Sequence, residues 1–158
     1  MKKKVLISAC LLGKNCRYNG GNSQMKVLEN LDVEWVLICP EEAGGLGTPR
    51  PAAELQGSAK NIINGVGCVL TQEDHDVTKK FIQGAEDSLE KVLSSGAEYA
   101  VLKSRSPSCG IGDVYDGTFT HSLTDGNGIF AYLCSHAGIN CISSDDPNKI
   151  KKTLSKLK

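Results

Sequence analysis

The residues of this chain best suited to chemistry are its thiols and its few arginines. Among 158 residues there are seven cysteines. Cys10 ends the run Val5-Leu6-Ile7-Ser8-Ala9, Cys39 ends Val33-Glu34-Trp35-Val36-Leu37-Ile38, and Cys109 lies in the loop after Tyr99-Ala100-Val101-Leu102-Lys103. A thiolate is both a nucleophile and a soft metal ligand. No C-x-x-C pair occurs, so the spacing disfavours a zinc knuckle, which uses close pairs, and matches none of the ferredoxin runs. Thiols drawn from three separate loops suit a soft, multi-iron cluster better. Cys16 forms C-x5-C with Cys10 and stays open as a ligand, a cluster-adjacent thiol or a redox partner. Cys68, Cys134 and Cys141 sit inside strand or helix patterns and read as small apolar core residues.

The arginines follow the same geography. The chain has 15 lysines but only Arg17, Arg50 and Arg105, one in each thiol-bearing loop, and four of its five prolines (Pro40, Pro49, Pro51, Pro107) are there too. Arginine outperforms lysine where a planar fork must hold a carboxylate, phosphate or other anion, and proline fixes φ in loops that must keep a shape. The three arginines are therefore candidate substrate-binding residues. The run Gly44-Gly45-Leu46-Gly47 matches neither a P-loop nor G-x-G-x-x-G and reads instead as a place of close backbone approach. His75, His121 and His136 show no ligand spacing.

Those loops need elements to hold them. Residues 4–9, 33–38, 99–103 and 139–143 read as strands. A helix is expected over 76–95, where Val77, Phe81, Ala85, Leu89, Val92 and Leu93 repeat at three- and four-residue spacing and Gly96 supplies the stop. Others are expected over 128–137 and from Pro147 to the end, the latter with Lys149, Lys151, Lys152 and Lys156 on a solvated face. Residues 60–70 read as a small β-hairpin turning at Asn64-Gly65. Strands alternating with helices predict an α/β fold: residues 1–158 as a single domain, a mostly parallel sheet with helices on both faces, plus the small β-hairpin. In open α/β sheets ligands bind beyond the carboxyl ends of the strands, where Cys10, Cys39 and Cys109 fall.

Composition narrows the partners. Lys plus Arg total 18 and Asp plus Glu total 18, which removes the electrostatic footprint for nucleic acid or an anionic membrane. The expected partner is a small molecule, with the protein a monomer or small homo-oligomer. An odd cysteine count argues against a disulfide framework and for a reducing compartment. Met1-Lys2-Lys3-Lys4 before Val5-Leu6-Ile7-Ser8-Ala9-Cys10 imitates a lipoprotein signal, but the apolar stretch is too short, so a cytoplasmic protein is expected. Two other classes fit these residues: a structural or sensory metal-binding module, and a thiol-disulfide redox protein using Cys10 and Cys16.

The motifs S-A-C-L-L-G-K-N-C-R-Y-N-G, C-P-E-E-A-G-G-L-G-T-P-R-P, D-V-T (76–78), L-K-S-R-S-P-S-C-G and Y-D-G-T-F resemble, in order and across most of residues 5–143, the bacterial thiouracil desulfidase family in its compact, stand-alone form. The resemblance implies a 4Fe-4S cluster held by Cys10, Cys39 and Cys109, with the fourth iron open to the sulfur of a thiocarbonyl such as that of 2-thiouracil. It also implies a non-redox desulfidase in which water attacks the carbon. Glu41 of C-P-E and Ser106 of S-P-S-C would be its catalytic proton-transfer residues.

Overall fold

The structure, a computed structural model, describes residues 1–157. In chain order it contains β1 (Lys3–Ser8), β2 (Val33–Ile38), α1 (Pro40–Ala43), β3 (Ala53–Gln56), α2 (Ala59–Ile63), β4 (Cys68–Thr71), α3 (Thr78–Ser95), β5 (Tyr99–Leu102), β6 (Asp113–Tyr115), β7 (Leu123–Asp125), α4 (Ile129–His136), β8 (Asn140–Ser143) and α5 (Pro147–Leu154). Two 3-10 turns, Ala9–Leu12 and Lys26–Asn30, flank the first loop.

The four expected strands form one parallel sheet in the order β2-β1-β5-β8. Val5, Leu6 and Ile7 of β1 are all 0% exposed, as befits a central parallel strand covered on both faces. Leu6, Ala100 and Leu102 pack with Phe81, Ala85 and Phe130 of α3 and α4. On the other face Val5, Ile7, Val101 and Ile142 pack with Leu28, Ile150 and Leu154. Helices thus cover both faces. The register sets Ser8 opposite Ile38 and Leu102 opposite Ser143, so the carboxyl ends of all four strands share one edge of the sheet.

Four local readings change. The hairpin expected over 60–70 is instead the antiparallel pair β3–β4, with α2 in its connection. Ser58 starts α2 by accepting the Asn61 amide, Ala59 and Ile62 bury one turn apart, and Asn64 ends it, so Asn64-Gly65 closes a helix rather than a hairpin. The buried face of α3 is Phe81, Gly84, Ala85, Ser88 and Val92. Leu93 is 56% exposed, while the small residues Gly84 and Ser88 face the core. The C-terminal helix stops at Leu154, one turn after Ile150, and Leu157 beyond it packs partly buried against the same core. Lys158, to which it was expected to run, lies outside the described residues. The ribbon β6–β7, Asp113 to Asp125, was not foreseen as strand.

Two glycines set the site. An added Cβ on Gly84 of α3 would stand 1.8 Å from the Pro40 carbonyl oxygen, and one on Gly44 would stand 2.0 Å from that of Lys80. Only hydrogen atoms permit this approach, and it clamps α1 against the middle of α3.

Candidate active site

Each site residue is presented by a short, well-bonded turn. Cys10 lies in the turn Ala9–Leu12, its carbonyl accepting the amides of Gly13 and Ser23, with Gly13 at φ +92° closing the turn. Cys39 is the N-cap of α1, whose first residue, Pro40, has the φ a helix start needs. Cys109 follows a serine cap: Ser106 Oγ accepts the amides of Ser108 at 3.1 Å and Cys109 at 3.0 Å. The amides of Gly128, Ile129 and Ala131, around the start of α4, donate to the Gly110, Pro107 and Ser108 carbonyls and brace that loop from behind.

These turns meet at a cavity of about 630 Å³ beyond the carboxyl ends of the sheet. Cys10, Cys39 and Cys109 line it, as do Arg17, Arg50, Arg105, Glu41 and Ser106, so every residue expected at the site reaches one space. Cys16 lines it too, 3% exposed, and its backbone carbonyl accepts from Cys39 Sγ at 3.8 Å. Cys134 is fully buried, while Cys68 and Cys141 are half-buried away from the cavity.

Glu41 stands in α1 with its side chain 14% exposed. Its Oε2 is held by Nε (3.0 Å) and Nη2 of Arg50. Its Oε1 has Ser108 Oγ at 3.5 Å, longer than a well-formed hydrogen bond. Of the two serines, Ser108 is thus the one beside the carboxylate. Ser106 uses its oxygen to cap the Cys109 turn, and neither capping bond takes its hydroxyl proton.

Arg17 and Arg105 occupy a looser rim. Arg17 lies over the Tyr18 ring, 5.9 Å from its centroid, and Arg105 Nη2 is 3.7 Å from Asp145 Oδ1 with both side chains about half exposed. Arg105 holds φ +61°, a left-handed conformation uncommon for a side-chain-bearing residue and frequent at functional loops.

Sequence reasoning passed over Lys103, which donates to Ser104 O and Oγ at 3.2 Å each. Burial, then the Arg17 charge, push its ammonium below the usual lysine range. Being one lysine of 15 hid it, although its place directly after β5 marked it. His75, Tyr115 and His121 also line the cavity, Tyr115 and His121 edge to face with centroids 6.0 Å apart. The Y-D-G-T-F motif was the signal for Tyr115; nothing in the spacing marked either histidine.

Three of the cavity thiols are biased toward the protonated form. Cys16 is pushed up to about 11, chiefly by its hydrogen bond with Cys10. Its hydrogen bond to Cys16 and burial raise Cys39, and burial raises Cys109. Metal binding must displace those protons. Among the described residues, no three His, Cys, Asp or Glu side chains gather tightly enough to grip one metal ion. A zinc-type site needs such a gathering. A cluster does not, since each thiolate takes a different iron, and a thiol donor set spread around a roomy cavity fits that kind of group.

Fold and site define an α/β protein with a thiol-lined cavity and an ion-paired carboxylate at the carboxyl ends of a parallel sheet. Its relatives are specific. The sequence profile described as 2-thiouracil desulfurase matches residues 5–146, and the chain belongs to that family of carbon-sulfur bond cleaving enzymes. It is similar to YbbK of Bacillus subtilis (strain 168), 37% identical over 149 residues, covering 92% of this chain and 99% of that protein. It also resembles the solved structure of the [4Fe-4S]-dependent thiouracil desulfidase TudS, with a TM-score of 0.86 and 39% identity over 98% of this chain and 99% of that one.

Proposed function

We propose that this chain, folding as one domain over residues 1–158, hydrolyses a thiolated small molecule such as 2-thiouracil, replacing C=S by C=O and releasing sulfide without net redox change. One observation carries the reading: thiols from three strand ends and an ion-paired carboxylate line a single cavity, in a chain 39% identical to TudS. Cys10, Cys39 and Cys109 would hold the [4Fe-4S] cluster, which when bound would supply Lewis acidity toward a soft thione.

The remaining steps belong to the chain. Glu41 Oε1, the carboxylate oxygen not held by Arg50, accepts a proton from the attacking water. Ser106, whose hydroxyl proton is not used in capping, relays a proton to the leaving side. Arg17 and Arg105 hold the polar part of the substrate at the rim. Among the described residues no helix is long and apolar enough to cross a membrane. A cytoplasmic enzyme without nucleic-acid partners, monomeric or a small homo-oligomer, accords with the balanced charge.

Anaerobic reconstitution tests this. The expected product is brown protein with about four iron and four labile sulfide per chain that converts 2-thiouracil to uracil and sulfide. Cys10→Ser, Cys39→Ser and Cys109→Ser each lose the iron, while Cys16→Ser keeps most of it. Glu41→Gln keeps the iron and loses about 10²–10⁴-fold in turnover. Colourless zinc protein would favour a metal-binding module, and activity without metal a thiol enzyme.

A further inference from the structure

Arg50 is placed differently from the other two arginines. A guanidinium carries five N–H donors and no acceptor. In Arg50 all five are committed to the protein. Nε and one Nη2 proton go to Glu41 Oε2, the other Nη2 proton to the Cys16 carbonyl at 2.9 Å, and the two Nη1 protons to the Gly47 carbonyl at 3.1 Å and Thr48 Oγ1 at 2.9 Å. Its backbone amide also donates to the Tyr18 carbonyl at 2.7 Å. The side chain is 7% exposed. No donor remains for a substrate.

From this geometry we infer that Arg50 is a positioning residue, which aims the free oxygen of Glu41 into the cavity and ties α1 to the Cys10–Cys16 loop. The inference rests on the proposed desulfidase reading for Glu41 and stands apart from it for the loop. One guanidinium joins three segments: the helix that carries Cys39 and Glu41, the loop that carries Cys10 and Cys16, and the Gly47–Thr48 turn. The fork is essential to that role, because a lysine brings three donors on one point and cannot reach the Glu41, Cys16 and Gly47 acceptors together.

Arg50→Lys, compared with wild-type and Glu41→Gln protein, tests the assignment through three measurements. Iron content stays near the wild-type value. With 2-thiouracil, kcat falls about 10²-fold while KM stays within about threefold, the signature of misaligned reacting groups and not of lost substrate binding. In the Glu41→Gln background the same change costs less than about threefold, because the oxygen it aims is gone. The third readout needs no activity: in iron-free protein, iodoacetamide modifies Cys16 at least tenfold faster in Arg50→Lys than in wild type, whereas Glu41→Gln leaves the rate unchanged. Mass spectrometry of the Cys16 peptide gives those rates.

A tenfold or greater rise in KM at constant kcat overturns the assignment and makes Arg50 a substrate ligand. Unchanged kcat together with unchanged Cys16 alkylation overturns it as well. If wild-type protein fails to desulfurise 2-thiouracil, the functional reading fails on its own and the alkylation rates still decide whether Arg50 ties the loop. Should Arg50→Lys lose its iron, Thr48→Val approaches the same network by removing the hydroxyl that fixes Nη1. A several-fold loss of kcat at unchanged KM supports the assignment, and wild-type kcat overturns it.

Discussion

Arg50 and Arg105 face one cavity from neighbouring loops, yet Arg50 is 7% exposed with five donors engaged while Arg105 is 45% exposed beside a single carboxylate at 3.7 Å. The cavity therefore has a fixed wall and a free one. The fixed wall is α1 with its glycine clamp, the Arg50 network and the capped Cys109 turn. The free wall is Arg17, Arg105 and their exposed neighbours Tyr18 and Asp145. Preorganised geometry belongs where atoms react, and unspent donors belong where a solute must be recognised and released. On the proposed reading one residue type serves both ends, and its surroundings tell which.

The largest expected effect comes from breaking the fixed wall at its base. Gly84→Ala places a methyl 1.8 Å from the Pro40 carbonyl, so α1 has to move and carries Cys39 and Glu41 with it. Overpacking of this kind costs about 1–3 kcal/mol, here against backbone that cannot swing aside. We expect a thermal midpoint lowered by several degrees and reconstituted iron well below the wild-type level. Gly96→Ala is the comparison: with φ +77° at the C-terminus of α3 and open space around its Cβ, it pays a backbone strain of about 1 kcal/mol and keeps its iron. Equal iron in the two variants would show that the clamp does not set the site.

How much of this was readable beforehand depends on the range of the interaction. Strand ends are local events, so Cys10 and Cys39 were legible from apolar runs that stop at a cysteine and Cys109 from the loop that follows a third such run, while the scarcity of arginine marked loops that line the cavity. The division of labour among the arginines was not readable, since the acceptors of Arg50 come from Cys16, Glu41, Gly47 and Thr48, and the Cys16 contact spans 34 positions. The Gly84–Pro40 approach was hidden likewise, because a helical glycine signals nothing until its partner is known. The hairpin misplaced at 60–70 shows the converse: Asn-Gly turn chemistry was judged without the Ser58 cap that makes its flank helical.

The free wall is tested by Arg17→Ala and Arg105→Ala. If these arginines hold substrate, KM rises about 3–10-fold with kcat nearly unchanged, the modest size following from the solvent around a partly exposed Arg17 and an exposed Arg105. Arg→Lys at either position recovers most of the loss if charge suffices, and little if the fork is used. A fall in kcat at constant KM would place these residues with the reacting groups and dissolve the distinction between the walls. Steady-state kinetics on iron-replete protein decides it.

The smallest effect sharpens the contrast between adjacent carboxylates of the same helix. Glu41 meets Arg50 at the cavity, whereas Glu42 accepts from Thr48 Oγ1 at 2.6 Å and pairs with Lys14 at 3.3 Å. The Thr48 hydrogen bond first, then Lys14, hold the Glu42 carboxyl below the usual carboxylate range. A carboxylate whose folded pKa is depressed binds fewer protons folded than unfolded, so its stabilisation is present above the unfolded value of about 4.3 and is lost as pH falls through the folded value. Glu42→Gln should therefore be less stable than wild type by on the order of 1 kcal/mol at neutral pH, since Lys14 is 56% exposed and the pair is solvent-screened. That gap should stay level down to about pH 5 and close below pH 4.3. Denaturant midpoints of both proteins, compared in the same cluster state across that range, measure it. Because Thr48 also receives Arg50 Nη1, a loss of kcat in Glu42→Gln would mean that the network fixing Glu41 extends to its neighbour, and an unchanged kcat would end that wall at Thr48.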